Sequence, residues 1–309
     1  MNRRPKIVVI SGPTASGKTS LGVELALALG GEIINADSMQ VYRGMDIGTA
    51  KPTIEEQKGI QHHLLDVVNP DEEYNAAIFR SMALPLIEEI SSRGKRCLVV
   101  GGTGLYIKSL LGGLLKCPPA SPKLRESLVR ECDILGTVKL HERLKHIDPE
   151  AANKIHPNDR IRLIRAFEIM HLTNRVPSEL SKEHGFRDKP VNALMICLYV
   201  NREQLYERIN KRSMGMAEAG LAEETEKLLR QGYSIDLKPM KSIGYRHMIK
   251  YLKGEWSLKE AILGIQRDTR RYAKRQLVWF RADPDVTWVD PKDFDLILQK
   301  IKDFSPGPA

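Results

Sequence analysis

The amino-acid sequence predicts an α/β fold, in which a parallel sheet with helices on both faces is interrupted by an inserted helical domain. Two observations predict the sheet: short apolar runs alternate with helical stretches, and the first run leads into a glycine-rich turn. A third predicts the insertion, because residues 123–182 are basic, helical in pattern and poor in strand signals. We expect a core in two parts, 1–118 and 191–309, around a helical domain at 119–190.

The predicted strands are short runs rich in Val, Ile and Leu, as buried parallel strands usually are. The first helix is expected from Thr19 to Leu29, because Gly30 and Gly31 form a common C-terminal stop. A second helix is expected near residues 75–92, and a proline-rich break at 117–122 marks the start of the insertion. The expected strands are Lys6–Ser11, Glu32–Asp37, Cys97–Val100, Leu194–Val200 and a short piece near Trp288.

Composition excludes several classes of protein. No apolar run is long enough to span a bilayer, and the four scattered cysteines have no zinc-ligand spacing. We therefore expect a cytoplasmic chain with free thiols, no membrane association and no zinc. We also expect a monomer, although no residue pattern shows the oligomeric state. The formal net charge of +9 favours a polyanionic partner, although a basic protein need not bind nucleic acid.

The glycine-rich turn matches the P-loop pattern at every required position, between an apolar strand and a helix. Its backbone N–H groups and the following helix N-terminus favour phosphate oxygens. Lys18 supplies a cation for the terminal phosphate, and the Thr19 hydroxyl suits Mg²⁺. A di- or triphosphate is therefore expected in a P-loop NTPase-like core. The loop comprises Gly12, Pro13, Thr14, Ala15, Ser16, Gly17, Lys18 and Thr19.

The carboxylate that P-loop ATPases place at the end of a strand is missing from its usual position. The run Cys97–Val100 continues into Gly101 and Gly102 without an acid, which argues against a motor or switch ATPase. Asp37 follows the second predicted strand instead, and should lie at the same edge of the sheet as the P-loop. Asp37 is either a turn or capping residue or a functional carboxylate, and its neighbourhood favours function.

Several further motifs, taken with the P-loop, resemble the bacterial tRNA dimethylallyltransferases, also called tRNA isopentenyltransferases or the IPP transferase family. The resemblance covers nearly the whole chain in the right order. Its motifs are GPTASGKT (12–19), DSMQVYRGMDIGTAKP (37–52), HHLLD (62–66), VGGTGLY (100–106), HPNDRIRLIRA (156–166), KSIGYRH (241–247) and RRYAKRQLVWFR (270–281).

The resemblance implies transfer of a dimethylallyl group from dimethylallyl pyrophosphate to N6 of the adenosine immediately 3′ of the tRNA anticodon, with release of pyrophosphate. The P-loop would hold the donor pyrophosphate, with Thr19 on Mg²⁺. Asp37 would accept the proton or hydrogen bond of the amine. Lys18 would stabilise the departing pyrophosphate, and Thr103 would lie where donor and base meet.

The resemblance also implies that the tRNA anticodon stem-loop is held around an extruded base. Residues 37–40 would contact the extruded nucleotide, and a helix from Asp159 to Met170 would contact the neighbouring loop. Many family members have Gln where this chain has Ile161, so only the main chain can serve there. The residues expected to contact tRNA are Asp37, Ser38, Met39, Gln40, Thr103, Arg125, Ile161, Arg162, Leu163, Ile164, Arg165, Lys241, Arg246 and Arg281.

Helical spacing alone leaves the role of two arginines open. Leu163, Phe167 and Met170 share an apolar face, so Arg162 and Arg165 are either a solvated face or an RNA contact. The resemblance favours RNA. The pair His62–His63 is interpreted as structural, and the three tryptophans, Trp256, Trp279 and Trp288, as core residues.

Three alternatives share parts of this pattern: a P-loop small-molecule kinase, a dimethylallyltransferase acting on free AMP or ADP, and a nucleic-acid-binding ATPase. A kinase does not need a basic helical insertion, and a free-nucleotide enzyme does not either. The missing acid after Cys97–Val100 argues against the ATPase.

Overall fold

The computed structural model describes residues 4–115, 117–118 and 121–305, which form two compact units. The larger unit comprises Met1–Leu111 and Pro190–Ala309, and the smaller unit Gly112–Lys189. The smaller unit thus begins at residue 112, and the domain predicted from the sequence begins at 119. Residues 119 and 120 of the predicted proline-rich break lie outside the described residues, as do 1–3 and the tail 306–309.

A six-stranded parallel sheet forms the centre of the larger unit, which confirms the predicted α/β class. The strand order is β3-β2-β4-β1-β5-β6, so the strand that precedes the P-loop lies among the central strands. The strands are β1 (Lys6–Ser11), β2 (Gly31–Asn35), β3 (His62–His63), β4 (Arg96–Val100), β5 (Asn192–Leu198) and β6 (Val286–Val289).

Helices pack around this sheet, and the sequence explains where several of them begin. Asn75 caps α3 by accepting from the N–H groups of Ala77 and Ile78. Ser257 and Glu260 form a capping box at the start of α13. The helices of the larger unit are α1 (Lys18–Leu29), α2 (Ile54–Gln57), α3 (Ala76–Ser92), α4 (Gly104–Gly112), α10 (Arg202–Glu218), α11 (Leu221–Arg230), α12 (Tyr245–Leu252), α13 (Leu258–Arg281) and α14 (Phe294–Phe304).

The main core lies between the sheet and its helices, because the central strands are apolar on both faces. Ile7, Val9 and Ile10 of β1 are fully buried, as are Leu98 and Val99 of β4. Burial on both faces requires cover from helices on both sides. Because β1, β2 and β4 pair in parallel, their carboxyl ends lie at one edge of the sheet, from which the loops of the candidate site emerge.

The smaller unit contains five helices with their own apolar core. The stripe predicted on α8 is confirmed in this core, where Leu163, Ala166 and Phe167 are buried and Met170 packs against them. The helix runs from Arg160 to Thr173, with Asp159 as its cap. The helices are α5 (Pro122–Leu135), α6 (Thr137–Ile147), α7 (Pro149–Lys154), α8 (Arg160–Thr173) and α9 (Pro177–His184).

Candidate active site

The P-loop joins the end of β1 to the start of α1, as the motif predicts. Gly12, Ala15 and Gly17 all have positive φ angles, of 149°, 63° and 91°. Glycine adopts positive φ without strain, and it occupies two of these three positions. The conformation turns successive N–H groups toward the centre of the loop. The Ser16 hydroxyl is buried there and makes no hydrogen bond to any described residue. The loop is shaped to receive an anion.

Lys18 reaches back across this loop. Its ammonium donates to the carbonyl oxygen of Pro13 at 3.3 Å. Burial lowers the pKa of Lys18 to about 8; the nearby Asp37 carboxylate opposes this shift, and the Arg212 guanidinium adds to it. Lys18, Asp37 and Arg212 therefore form a compact charged group, and a bound phosphate would favour the protonated form of the amine.

Gln276 fixes the P-loop from outside the motif. Its side-chain carbonyl accepts from the Thr14 N–H at 2.8 Å, and its amide donates to the Gly102 carbonyl oxygen at 2.8 Å. Gln276 lies on α13 and is almost fully buried. One side chain thus joins the phosphate loop to the loop that follows β4.

Asp37 lies just beyond the carboxyl end of β2, beside the P-loop. Its Oδ1 accepts from the N–H of Met39 at 2.8 Å and of Gln40 at 3.4 Å. The Thr103 hydroxyl accepts from the Ser38 N–H at 3.0 Å. These bonds hold residues 37–40 as a turn, and only Oδ1 of the Asp37 carboxylate takes part in them.

The glycines after β4 allow this turn and α13 to come close. A Cβ atom at Gly101 would lie 2.2 Å from the Ala36 carbonyl oxygen, and one at Gly102 would lie 2.2 Å from Nε2 of Gln276. Any side chain at either position would push the Asp37 turn or Gln276 away from the P-loop. At the position where ATPases carry an acid, this chain therefore has glycines, because the Ala36 backbone and the Gln276 side chain pack closely against them.

A cleft of about 330 Å³ opens between the P-loop, the Asp37 turn and α13. The predicted residues Thr14, Lys18 and Thr19 line it. Four residues of the Asp37 turn also line the cleft, as does Arg246, one of the predicted tRNA-binding residues. The turn residues are Asp37, Ser38, Met39 and Gln40. Thr103 does not line the cleft and instead supports the turn through Ser38.

Arg212 is a cleft residue that the motifs did not identify. It lies on α10, and its guanidinium donates to the Thr14 hydroxyl at 3.3 Å. Burial lowers its pKa, and the charge of Asp37 opposes that shift. Arg212 also borders a second cleft, of about 820 Å³, with Lys18, Thr19 and Lys51. A buried guanidinium between two clefts is well placed to bind a pyrophosphate.

Two further predicted basic residues of the larger unit, Lys241 and Arg281, lie outside the cleft wall. Lys241 is exposed and pairs with Asp236 at 2.9 Å, and Arg281 is exposed at the end of α13. Arg246 pairs with Asp268 at 2.6 Å. Asp268 also receives Arg267 at 3.1 Å and Arg271 at 3.4 Å. Three guanidiniums around one carboxylate leave this part of the surface positive.

The predicted residues of the smaller unit divide into surface and core. Ile161 is 74% exposed, whereas Leu163 and Ile164 are buried. The prediction that Leu163 and Ile164 bind tRNA is therefore wrong for their side chains, because both pack into the helical core. Arg162 pairs with Asp159 at 3.4 Å on the surface.

The structure assigns Arg165 a partner that the sequence did not suggest. Its guanidinium pairs at 2.6 Å with Oε2 of Glu168, whose side chain is fully buried. Arg165 therefore neutralises a core carboxylate. The remaining predicted residue of the unit, Arg125, is exposed on α5.

The histidine pair makes structural contacts. His63 contacts the buried Glu32 carboxylate at 2.7 Å, and Nδ1 of His62 donates to the Ile60 carbonyl oxygen at 2.9 Å. Within the described residues no group of three or more His, Cys, Asp or Glu side chains is arranged to hold a metal ion.

The interpretation of Trp279 as a core residue is wrong, because its side chain is 39% exposed. In the described part of the chain, no helix combines the length and the apolarity needed to cross a bilayer.

A known protein family contains most of the segments that form this site. The family model described as "IPP transferase" matches residues 40–283, which include the Asp37 turn from Gln40 onward, the smaller unit and α13. The chain belongs to the IPP transferase family. A second model, "Isopentenyl transferase", matches only residues 5–74 around the P-loop.

Similar proteins match nearly the whole length of the chain. The tRNA dimethylallyltransferase of Geobacter sulfurreducens is 52% identical over 295 residues, which are 95% of each chain. That of Syntrophobacter fumaroxidans is 49% identical over 96% of this chain and 86% of its own.

Solved structures agree with the family assignment. The tRNA isopentenylpyrophosphate transferase of Bacillus halodurans is 45% identical, with a TM-score of 0.71 over 97% of this chain and 95% of its own. A eukaryotic dimethylallyltransferase acting on tRNA is 30% identical, with a TM-score of 0.81 over 98% of this chain and 80% of its own.

Proposed function

We propose that this IPP transferase moves a dimethylallyl group from dimethylallyl pyrophosphate to N6 of the adenosine immediately 3′ of the tRNA anticodon. The observation that carries the proposal is the cleft itself, which is lined both by the phosphate loop and by Asp37, whose second carboxylate oxygen accepts no hydrogen bond from the described residues. The similar proteins named above act on tRNA according to their names, and free AMP or ADP is therefore the less favoured acceptor.

The donor pyrophosphate would bind at the P-loop. Its charge is matched by Lys18, by Arg212 and by the loop N–H groups, and the buried Ser16 hydroxyl offers a further donor. These groups are already in place and partly desolvated. Their attraction to the pyrophosphate oxygens therefore strengthens as negative charge grows on the leaving group. Lys18 and Arg212 would therefore stabilise the leaving group.

The residues at this end of the cleft also fit Mg²⁺. Thr19 offers a hydroxyl, and Mg²⁺ usually completes its coordination with water and phosphate oxygens. The described residues contain no all-protein cage, which agrees with an ion bound together with the pyrophosphate. Bound Mg²⁺ would supply additional positive charge against the pyrophosphate oxygens.

The reaction is a substitution at the allylic carbon. N6 of the adenine forms a bond to C1 of the dimethylallyl group, and the bond from C1 to the pyrophosphate oxygen breaks. The electron pair leaves with pyrophosphate. Asp37 accepts the proton that N6 loses, through the carboxylate oxygen not used by Met39 and Gln40.

The acceptor base would enter beside residues 38–40, after leaving the anticodon-loop stack. The NH₂ group of Gln40 donates to the carbonyl oxygens of Thr49 and Ala50, and its side-chain carbonyl oxygen, which accepts no hydrogen bond from the described residues, would accept from the adenine amine. The arginines around Asp268 would hold the RNA backbone by charge. Arg125, Ile161, Arg162, Lys241 and Arg281 are proposed as further tRNA contacts on the exposed surface.

A product assay tests the proposal. The purified chain is incubated with dimethylallyl pyrophosphate, Mg²⁺ and unmodified tRNA, and the nucleosides are analysed by mass spectrometry, with AMP as a parallel acceptor. We expect isopentenylated adenosine in tRNA and none in AMP, as for a cytoplasmic tRNA-modifying enzyme. Modified AMP would instead support the free-nucleotide alternative. A phosphorylated product or ATP hydrolysis would support a kinase or an ATPase.

A further inference from the structure

The loop of residues 46–50 is held by one acidic side chain from a distant helix. Glu224, on α11, accepts hydrogen bonds from three consecutive backbone N–H groups. The distances are 3.0 Å from Asp46, 2.8 Å from Ile47 and 3.1 Å from Gly48. Consecutive N–H groups that converge in this way form an anion-binding concavity, and the protein fills it with its own carboxylate.

The same carboxylate also binds Tyr245 at the start of α12. The Tyr245 hydroxyl donates to Oε1 of Glu224 at 2.6 Å, and the ring lies against Gly48. A Cβ atom at Gly48 would lie 2.5 Å from two ring carbons. Glu224 thereby joins two segments that both line the cleft, residues 48–50 and the segment around Tyr245, of which residues 242–244 and Arg246 are lining residues.

The loop in turn fixes Gln40. Both acceptors of the Gln40 amide group, the carbonyl oxygens of Thr49 and Ala50, belong to it, at 3.2 and 3.0 Å. The Gln40 N–H donates to Asp37 at 3.4 Å. A continuous series of hydrogen bonds therefore leads from Glu224 through the loop to Gln40 and Asp37.

We propose that Glu224 is a positioning residue for transfer to the base: it holds the loop that orients Gln40, and through Gln40 the adenine amine, against Asp37. The inference rests on the proposed function. Glu224 touches neither donor nor acceptor in this assignment. The P-loop is held separately, by Gln276 and Arg212, so we expect the shape of the P-loop itself not to depend on Glu224.

Replacing the carboxylate with an amide tests the proposal. Glu224→Gln brings an NH₂ group toward N–H donors and removes the negative charge that holds them. We expect kcat for tRNA to fall about tenfold or more, since small displacements of reacting groups reduce rates steeply. The Kd for pyrophosphate, measured by titration calorimetry, should stay within about twofold. Glu223→Gln, an exposed neighbour on the same helix, serves as the control and should keep the wild-type kcat.

Two other variants address the same linkage without changing Glu224. Gly48→Ala forces a Cβ atom against the Tyr245 ring, and Tyr245→Phe removes only the hydroxyl. We expect Gly48→Ala to lower kcat as Glu224→Gln does, and Tyr245→Phe to lower it about threefold, again with unchanged pyrophosphate affinity. These two variants decide the matter if Glu224→Gln does not fold.

The proposal is overturned if folded Glu224→Gln or Gly48→Ala retains wild-type kcat, or if pyrophosphate affinity falls in parallel with kcat. The latter result would indicate general loosening of the fold. A wild-type chain that modifies no tRNA would instead refute the proposed function, so the two failures remain distinguishable.

Discussion

The side-chain carbonyl oxygen of Gln276 accepts a hydrogen bond from the backbone N–H of Thr14 at 2.8 Å, although the two residues are 262 positions apart in the chain. The other end of the same amide binds the Gly102 carbonyl oxygen. Helix α13, late in the chain, therefore helps to hold the N-terminal phosphate loop in shape. Any account of donor binding has to include α13 as well as the motif.

Replacing Gln276 with Leu should weaken donor binding. The Thr14 N–H and the Gly102 carbonyl would lose their partners in a buried place, at about 1–3 kcal/mol for each unsatisfied group. We expect the Kd for dimethylallyl pyrophosphate to rise about tenfold, measured by titration calorimetry. Gln299→Leu, at an exposed position on α14, is the matched control. An unchanged Kd in Gln276→Leu would show that the loop keeps its shape without this bond.

The parts of the site that sequence predicts are those encoded locally. The P-loop is a contiguous motif, and Asp37 follows the end of a recognisable strand. Gln276, Arg212 and Glu224 carry no such signal, because each binds a segment far away in the chain. Gln276 is 262 residues from Thr14, Arg212 is 198 residues from Thr14, and Glu224 is 178 residues from Asp46. Only the packing of α10, α11 and α13 brings them to the cleft.

The fold was predictable for a related reason. Strands β1, β4 and β5 are apolar runs between helical segments, and hydrophobic pattern alone identifies them. The edge strand β3 contains only His62 and His63, which is too short to show a periodicity. Local pattern also could not show that Glu168, a charged residue on α8, would be buried with Arg165 as its partner.

Arg165 and Arg162 should behave differently when replaced. Arg165→Gln leaves the buried Glu168 carboxylate without its counter-charge, and we expect a loss of stability of about 3 kcal/mol, seen as a lower Tm. Arg162→Gln removes only a surface pair, so the Tm should hardly change. If Arg162 contacts phosphate, its loss should instead reduce the salt dependence of tRNA binding. Equal Tm values for both variants would contradict the assignment of Arg165.

Glu32 makes stability depend on acid pH. Burial alone would raise the pKa of its carboxyl group, but hydrogen bonds from Lys95 and His63 and the charge of Arg93 lower it to about 2. The stabilisation is complete above pH 4.5, the ordinary pKa, and is lost as the pH falls through about 2. Glu32→Gln should therefore cost on the order of 2 kcal/mol at pH 7. In chemical unfolding at several pH values, its deficit relative to wild type should shrink between pH 4.5 and 2; a constant deficit would contradict the lowered pKa.

In the proposed reaction, Asp37 accepts the proton of the adenine N6 amine as that amine attacks C1 of the dimethylallyl group. The variant Asp37→Asn tests this role most directly. The asparagine oxygen can still accept the Met39 and Gln40 N–H bonds, so the turn should be kept while the proton acceptor is lost. The measurement is the single-turnover rate of tRNA modification with donor bound in advance, together with the Kd for tRNA. We predict a rate at least about 100-fold lower with a tRNA Kd within about twofold of wild type. A rate within about threefold of wild type would contradict the account.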